Sequence, residues 1–286
     1  MKKGKYAQDK GSSLLRVVGL WLWVALWGVF PAGAQERDTL SVQQCDHTFR
    51  AGQLVMPGTL VVAGTAGLFS PVSEWKVDVR DRVREYALER TAADDYIQYV
   101  PVAMAVAGDW IGAEAQHDFL DRVVLVGTSY VMMAAVVNGL KYTVVSVRPG
   151  KYDEVYLQNN PNNLTSQNAP KTFNSFPSGH AATAFMGAEL VRLEYGAESP
   201  WIGVAAYAVA SGTSIMRVWN EKHWFTDVLA GAGMGMLSAR VGWWLLPGVS
   251  RAARNVLGLD ATHGQALTVC PTASDGHPGM TMCMSF

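Results

Sequence analysis

Three short blocks between Lys141 and Asp227 constrain this chain most, because together they contain the side chain types that bind and transfer a phosphate group. The blocks read KYTVVSVRP at 141–149, FPSGH at 176–180 and RVWNEKHWFTD at 217–227. Phosphoryl transfer spreads negative charge over equatorial oxygens, so its catalysis depends mainly on fixed positive charge and hydrogen-bond donors. The sequence therefore predicts one anion site to which all three blocks contribute.

The residues predicted to bind phosphate offer positive charge or an N–H or O–H donor: Lys141, Arg148, Arg217, Ser178 and Gly179. Gly179 stands at a predicted helix start, where glycine lets the backbone approach an anion closely. Lys141 and Arg148 are seven residues apart. On a helix that ends at Pro149, this spacing predicts that both cations project from one face.

Two histidines and an aspartate are the predicted catalytic residues. His223 and Asp227 stand at i and i+4. On a helix, that spacing lets the carboxylate accept a hydrogen bond from one imidazole nitrogen and leaves the other nitrogen free to attack phosphorus. His180 remains to protonate the leaving group. One nucleophilic and one acidic histidine suffice for hydrolysis through a phosphohistidine, with no metal and no other cofactor.

These blocks resemble the type 2 phosphatidic acid phosphatase (PAP2) family, which shares its core with the vanadium haloperoxidases. The family pattern K-x6-RP, PSGH and SR-x5-H-x3-D falls on the three blocks in order, except that Met216 replaces the expected serine. The resemblance covers about residues 51–250. It implies an all-α, membrane-embedded helical bundle. It also implies that His223 is the nucleophile, that Asp227 orients it, that His180 is the acid and that the remaining motif residues hold phosphate.

The composition favours a membrane protein. Of the 286 residues, 49% are hydrophobic and 16% are charged, and the net charge of −1 predicts no nucleic-acid partner. Residues 51–73 and 123–140 carry no charge and are predicted to span a bilayer. Residues 96–113 are apolar but contain Pro101 and Asp109, so they are predicted to pack on the core or to lie only partly in lipid.

The chain is predicted to contain four parts. Residues 1–34 are typical of a signal peptide or an uncleaved signal anchor, because a lysine-rich start precedes an uncharged run and the sequence Ala-Gly-Ala. An exported linker at 35–50 and a PAP2-like membrane domain at 51–256 follow. The tail at 257–286 alternates near its end, which permits a short β-hairpin. Cys270 and Cys283 either pair across it or remain separate thiols.

Within the membrane domain, a polar loop is predicted at 150–175 and helices at 180–195, 201–216 and 226–246. Gly231, Gly233 and Gly235 resemble a nucleotide loop only superficially, since no strand precedes them. In an apolar helix, such spacing predicts close helix packing. The remaining histidines lack catalytic neighbours in the sequence and are predicted to be structural: His47, His117, His263 and His277.

Charge distribution predicts that the site faces outward, towards the periplasm, from a bacterial inner membrane. If residues 96–113 do not cross, the cations of residues 76–90 lie on the cytoplasmic side, as the positive-inside tendency requires. The amphipathic stretch 74–90 then lies on the opposite side of the membrane from the three motifs.

The expected function is hydrolysis of a phosphorylated envelope lipid by an integral-membrane enzyme; its oligomeric state is left open. The stretches DDYIQYVP at 94–101, NGLKYTV at 138–144 and NSFPSGHAATAF at 174–185 resemble the lipid A 4′-phosphatase branch. Undecaprenyl pyrophosphate, phosphatidylglycerol phosphate and phosphatidic acid are the alternative substrates. A secreted acid phosphatase is the alternative on the same core. Apolar spans weigh against a vanadate-dependent oxidoreductase, and the intact motifs against a silent binding protein.

Overall fold

A computed structural model describes residues 47–69, 72–86, 89–156 and 173–259, together with the backbone of two strands at 267–274 and 277–284. The predicted signal at 1–34, the linker up to residue 46 and residues 157–172 of the predicted polar loop lie outside the described residues.

The described residues before the C-terminal hairpin are built mainly from helices. The α-helices are α1 Val55–Ala66, α2 Val72–Tyr86, α3 Asp94–Ile97, α4 Val100–Ala107, α5 Phe119–Thr143, α6 Pro149–Tyr156, α7 Gly179–Tyr195, α8 Pro200–Trp219 and α9 Phe225–Val256. Short 3-10 helices at Ala51–Leu54 and Gly108–Ile111 precede α1 and follow α4. The predicted all-α class is confirmed. Since α6 occupies residues 149–156, the prediction of a loop there is wrong.

The tail forms the β-hairpin that its alternating sequence permits. Strand β1, Leu267–Ser274, pairs antiparallel with strand β2, His277–Met284. The register sets Cys270 opposite Thr281 and Cys283 opposite Thr268. The two cysteines are therefore not direct cross-strand partners.

Helix α9 is the centre of the bundle and packs against α1, α5 and α7. Its glycines make this possible. A Cβ atom on Gly235 would lie 2.1 Å from the carbonyl oxygen of Ala182 in α7, and one on Gly233 would lie 2.5 Å from that of Pro57 in α1. The prediction that these glycines serve helix packing is confirmed.

A buried acid joins three of the helices inside the bundle. Glu189 of α7 is fully buried and accepts hydrogen bonds from Arg192 on the same helix and from Tyr207 of α8. It also pairs with Arg240 of α9. A buried carboxylate requires such partners, because losing them would leave an uncompensated charge in the interior. The cluster therefore fixes the relative position of α7, α8 and α9.

Residues 94–113 connect the two ends of the bundle. Asp94 of α3 lies 2.5 Å from Arg217 at the end that carries the three motifs, whereas the N–H of Gly108 donates to the Tyr195 hydroxyl at the other end, 3.1 Å away. Ala105 is buried, as expected for a segment that packs on the core. The segment also runs from one end of the bundle to the other.

Helix α2 lies at the same end as the motifs. Nε of Arg84 donates to Glu221 over 2.5 Å, and Nη1 of Arg84 donates to Asp153 of α6 over 2.8 Å. An arrangement with the α2 cations and the motifs on opposite sides of a membrane is therefore wrong. The charge distribution does not support an outward-facing site.

One helix among the described residues, α5, is long and apolar enough to cross a membrane. Only 22% of its apolar stretch is buried within the protein, so most of that stretch is at least partly accessible. The predicted span at 51–73 is shorter than expected. Residues Ala51–Ala66 form a short apolar helix, which is below the ~20 residues that cross a bilayer.

Adding a methyl group to Gly235 should destabilise the bundle. Gly235→Ala directs a Cβ atom into the Ala182 carbonyl at 2.1 Å, and overpacking of this kind costs about 1–3 kcal/mol. Gly248→Ala is the matched control, because the same change on the same helix meets nothing within 4 Å. Thermal unfolding in detergent, followed by tryptophan fluorescence, should show a lower midpoint for Gly235→Ala only. Equal midpoints for both variants would contradict the packing described for α9.

Candidate active site

Backbone hydrogen bonds hold the three motif blocks together. The N–H of Ser146 donates to the Phe173 carbonyl at 2.9 Å, and the N–H of Ser175 returns to the Ser146 carbonyl at 3.0 Å. The N–H of Ser178 then donates to the Asp227 carbonyl at 3.0 Å. The first block is thereby tied to the second, and the second to the third.

The third block is also tied directly to the first. The indole N–H of Trp224 donates to the Val147 carbonyl at 2.6 Å, and the N–H of Gly150 donates to the Glu221 carbonyl at 3.0 Å. Glu221 has a φ of 54°, so the chain turns sharply between α8 and α9. This turn brings the residues after Arg217 back over the first block.

Lys141 and Arg148 do not share one helix, contrary to prediction. Helix α5 ends at Thr143, and Pro149 is the first residue of α6. The β-branched run from Thr143 favours extended backbone, and a proline both suits the first helical position and disfavours helical geometry in the residue before it. Lys141 nonetheless reaches the second block, with Nζ 3.8 Å from the position of a Cβ on Gly179.

His223 has a fixed tautomer. Its side chain is 1% exposed, and its Nδ1 atom lies 2.7 Å from the carbonyl oxygen of Ser175. A carbonyl oxygen only accepts, so Nδ1 carries the proton and Nε2 carries the lone pair. Burial, reinforced by the charges of Arg217 and Arg148 and opposed by Asp227, lowers the pKa of His223 to about 4. The imidazole is therefore neutral at pH 7, as a nucleophile must be.

Asp227 does not hydrogen-bond His223 directly, so the sequence-based expectation is wrong on this contact. The nearest carboxylate oxygen is 3.8 Å from Nδ1 of His223, which is beyond hydrogen-bond range. That oxygen instead accepts from the Ser175 hydroxyl at 2.5 Å and from the Trp224 N–H at 3.0 Å. The reason is local: α9 begins at Phe225, so His223 precedes the helix and the i, i+4 spacing is not a helical one.

His180 lies in the first turn of α7 and faces a carboxylate that the motifs did not indicate. Its Nε2 atom is 2.9 Å from Oδ1 of Asp95. Nη1 of Arg217 donates to the same oxygen at 2.9 Å and to Asp94 at 2.5 Å. Lys222 lies 3.5 Å from Asp95. Asp95 therefore already pairs with His180, the predicted acid, and with Arg217, one of the predicted phosphate-binding cations.

Two guanidinium groups have unsatisfied N–H donors. The Nε atoms of Arg148 and Arg217 are buried and have no hydrogen-bond partner among the described residues. Burial and the charge of Arg217 lower the pKa of Arg148, which reflects repulsion between neighbouring cations. A buried charged donor without a partner is costly. A phosphate oxygen would satisfy these donors and relieve the repulsion at once.

The start of α7 supplies neutral donors. Ser178 is the N-cap residue, and its hydroxyl oxygen accepts from the N–H of Ala181 at 3.4 Å. Gly179 is the first residue of the helix, so its N–H has no partner within the helix. Among the described residues, no group of three or more histidine, cysteine, aspartate or glutamate side chains is arranged to hold a metal ion.

Comparison with known proteins agrees with this geometry. Residues 122–251 match the model of the PAP2 superfamily. A protein named lipid A 1-phosphatase from Porphyromonas gingivalis is 33% identical over 174 residues, which cover 59% of this chain and 35% of that protein. A bacitracin transport permease protein from Bacillus licheniformis is 38% identical over 78 residues, which cover 27% of this chain and 36% of that protein.

The chain thus aligns with about a third of the length of these curated relatives. No solved structure matches it significantly. All three motif blocks lie within the matched region, residues 122–251. Asp94 and Asp95 lie before it.

Removing the Asp95 charge should strengthen anion binding. Asp95→Asn frees Arg217 and His180 from a competing carboxylate, and the Kd for inorganic phosphate should fall about tenfold, which corresponds to about 1.4 kcal/mol. Glu154→Gln is the control, because Glu154 pairs with Lys151 on the surface and should leave the Kd unchanged. Isothermal titration calorimetry of the detergent-solubilised protein measures both. An unchanged or higher Kd for Asp95→Asn would mean that Asp95 does not compete with the anion.

Proposed function

Because the chain belongs to the PAP2 superfamily across residues 122–251, we propose that it is a membrane-bound phosphatase that hydrolyses a lipid phosphomonoester through a phosphohistidine. The observation that carries this proposal is the buried, neutral His223 beside the unsatisfied guanidinium donors of Arg148 and Arg217. A nucleophile with a free lone pair and a dianion-binding pocket are the two requirements of the reaction.

In the first step, phosphate binds between Lys141, Arg148 and Arg217 and displaces the Asp95 carboxylate from Arg217. Nε2 of His223 attacks phosphorus, because Nδ1 keeps its proton on the Ser175 carbonyl. The phosphorus–oxygen bond to the lipid breaks as the N–P bond forms. Burial and the charge of Arg217 lower the pKa of His180 to about 4 when no anion is bound, and the negative charge of the incoming phosphate raises it again, so His180 enters the step protonated. It then gives its proton to the departing lipid oxygen, since an alkoxide leaves poorly without one.

In the second step, water hydrolyses the phosphohistidine. His180, now neutral, takes a proton from the water as its oxygen attacks phosphorus. The N–P bond breaks, and its electron pair returns to Nε2 of His223. Inorganic phosphate leaves, and both histidines regain their starting protonation states.

Asp227 acts on the nucleophile through Ser175 in this proposal. Its carboxylate accepts from the Ser175 hydroxyl and from the Trp224 N–H. These bonds fix Ser175, which accepts from His223, and Trp224, which follows His223 in the chain. The negative charge at 3.8 Å also stabilises the positive charge that develops on the imidazole during attack. Asp227 is thus a positioning residue and an electrostatic partner, rather than a direct acceptor for Nδ1.

Lipid A is the substrate that we propose. The sequence resemblance predicts the 4′-phosphate, whereas the Porphyromonas gingivalis relative is named for the 1-phosphate. The activity common to both is hydrolysis of a lipid A phosphomonoester. The largely unburied apolar stretch of α5 supports a bilayer as the place where the enzyme meets this lipid, in the envelope of a bacterium.

Because the two histidines have different roles, their replacement by alanine should impair different steps of the reaction. His223→Ala should abolish turnover and form no phosphohistidine with any substrate. His180→Ala should lose roughly 10²–10⁴-fold on lipid A, the usual range for general acid catalysis. It should lose much less in phosphorylation by nitrophenyl phosphate, whose leaving group needs no proton. Rapid-quench detection of acid-labile phosphohistidine measures both, and mass spectrometry of the lipid product identifies the phosphate removed.

Two results would reverse this assignment. Phosphorylation of the His223→Ala variant would show that His223 is not the nucleophile. Equal impairment of His180→Ala with the lipid and the aryl phosphate would remove His180 as the acid. Activity on nitrophenyl phosphate with none on lipid A would retain the mechanism and refute the substrate.

The side of the membrane that the site faces depends on how the two ends of the bundle are placed. Helix α2 lies with the site, whereas His47 contacts Trp243 of α9, roughly 27 Å along the helix from Phe225 at 1.5 Å per residue. We propose that these two ends face opposite sides of the membrane. An exported His47 then places the site on the cytoplasmic side, and a periplasmic site requires His47 to be cytoplasmic.

Cysteine labelling should show that the two ends of the bundle lie on opposite sides of the membrane. In a variant with Cys45, Cys270 and Cys283 replaced by serine, single cysteines are introduced at Tyr86 and Tyr142, which are 52% and 89% exposed, and at Val256, which is 87% exposed. A membrane-impermeant thiol reagent is applied to intact spheroplasts. Tyr86→Cys and Tyr142→Cys should give the same result, either both labelled or both unlabelled, and Val256→Cys should give the other result. Labelling of Tyr86→Cys together with Val256→Cys would contradict the placement of the two ends on opposite sides of the membrane.

A further inference from the structure

Two histidines meet at the end of the bundle opposite the phosphate pocket, although the sequence predicted only structural roles for them. Nε2 of His47 lies 3.2 Å from Nε2 of His117. Nδ1 of His47 lies 2.8 Å from the Trp243 carbonyl oxygen, and Nδ1 of His117 lies 2.8 Å from a carboxylate oxygen of Glu194. We propose that His47 and His117 together bind a transition-metal cation of the Zn²⁺ type.

The hydrogen bonds determine the tautomer of each ring. Carbonyl and carboxylate oxygens accept and do not donate, so each Nδ1 carries a proton. In two neutral rings, both Nε2 atoms then present lone pairs, and the two atoms lie 3.2 Å apart. Two lone pairs repel at that distance, and a cation between them converts the repulsion into attraction.

The separation of the two nitrogens is one that a shared metal requires. Two metal–nitrogen bonds of about 2.05 Å at a tetrahedral angle separate the nitrogens by about 3.3 Å. The observed 3.2 Å is close to this value. A proton shared between the two rings is the alternative occupant, which the titration below distinguishes from a metal.

The surroundings of the pair are those of metal-binding histidines. Such histidines donate their other ring N–H to a carboxylate or a backbone carbonyl, which fixes the ring and strengthens the metal bond. Here both rings do so, one to Glu194 and one to Trp243. Glu194 is 1% exposed and also accepts from the His117 N–H at 2.6 Å, so its charge needs a cation nearby.

The Trp243 indole packs on both imidazoles, with ring centroids 5.0 Å from His47 and 4.9 Å from His117. It holds the rings in place and shields one side of the pair. Two protein nitrogens leave further coordination positions for water. Imidazole ligands suit zinc, copper, nickel and cobalt in preference to magnesium or calcium.

Titration with Co²⁺, a spectroscopic stand-in for Zn²⁺, tests this site on the full-length protein in detergent. One ion per chain should bind, with visible d–d bands, and Zn²⁺ should displace it. His47→Gln and His117→Gln should each weaken binding at least 100-fold or so, beyond the roughly 10–100-fold expected when Glu194→Gln removes an outer partner. His180→Gln, at the other end, should leave Co²⁺ binding unchanged.

Three outcomes would overturn the proposal. The first is no Co²⁺ or Zn²⁺ binding by protein with an unaltered thermal unfolding midpoint. The second is binding that survives both His47→Gln and His117→Gln. The third is uptake of one proton by the pair, seen by potentiometry with no ion bound. Because the phosphohistidine assay is independent of this site, failure here and failure of the proposed function are separate results.

Discussion

The hydrogen bond between Nδ1 of His223 and the Ser175 carbonyl is the contact on which the site depends. It decides which nitrogen is free to react, and it requires Ser175 to stay in place. Ser175 is held twice, by its N–H on the Ser146 carbonyl and by its hydroxyl on Asp227. One uncharged residue therefore joins all three motif blocks, and a shift of any block changes the environment of His223.

The pocket balances its charges in two ways. Asp94 is fully buried and accepts from Arg217 and from the Asn220 amide, so it is a permanent counter-ion for a guanidinium that would otherwise be buried alone. Asp95 is 44% exposed and bridges Arg217 and His180. An exposed carboxylate is displaced at lower cost than a buried one. Asp94 thus preserves the pocket, while Asp95 is the group that phosphate replaces in the proposed reaction.

The sequence predicted the helical fold and named eight candidate site residues, because both follow from local patterns of side chains. It did not predict how those residues contact one another. The Ser175 carbonyl carries no sequence signal, since every residue has one. Asp94 and Asp95 act across more than 120 residues of chain, where spacing gives no guide. The helix ends near Thr143 and Pro149 were misjudged because the seven-residue spacing of Lys141 and Arg148 also fits extended backbone followed by a proline-started helix.

The close packing of α9 also determines where the site residues at its N-terminal end lie. Gly231 and Gly235 face α7, where a Cβ on Gly231 would lie 2.3 Å from the Ser178 carbonyl, whereas Gly233 faces α1. The small residues therefore let α7 begin directly against α9, with Ser178 and Asp227 in backbone contact. A larger residue at Gly231 would push the start of α7, and with it Gly179 and His180, away from His223. The same glycines that allow close packing thus set the distance between the proposed nucleophile and the proposed acid.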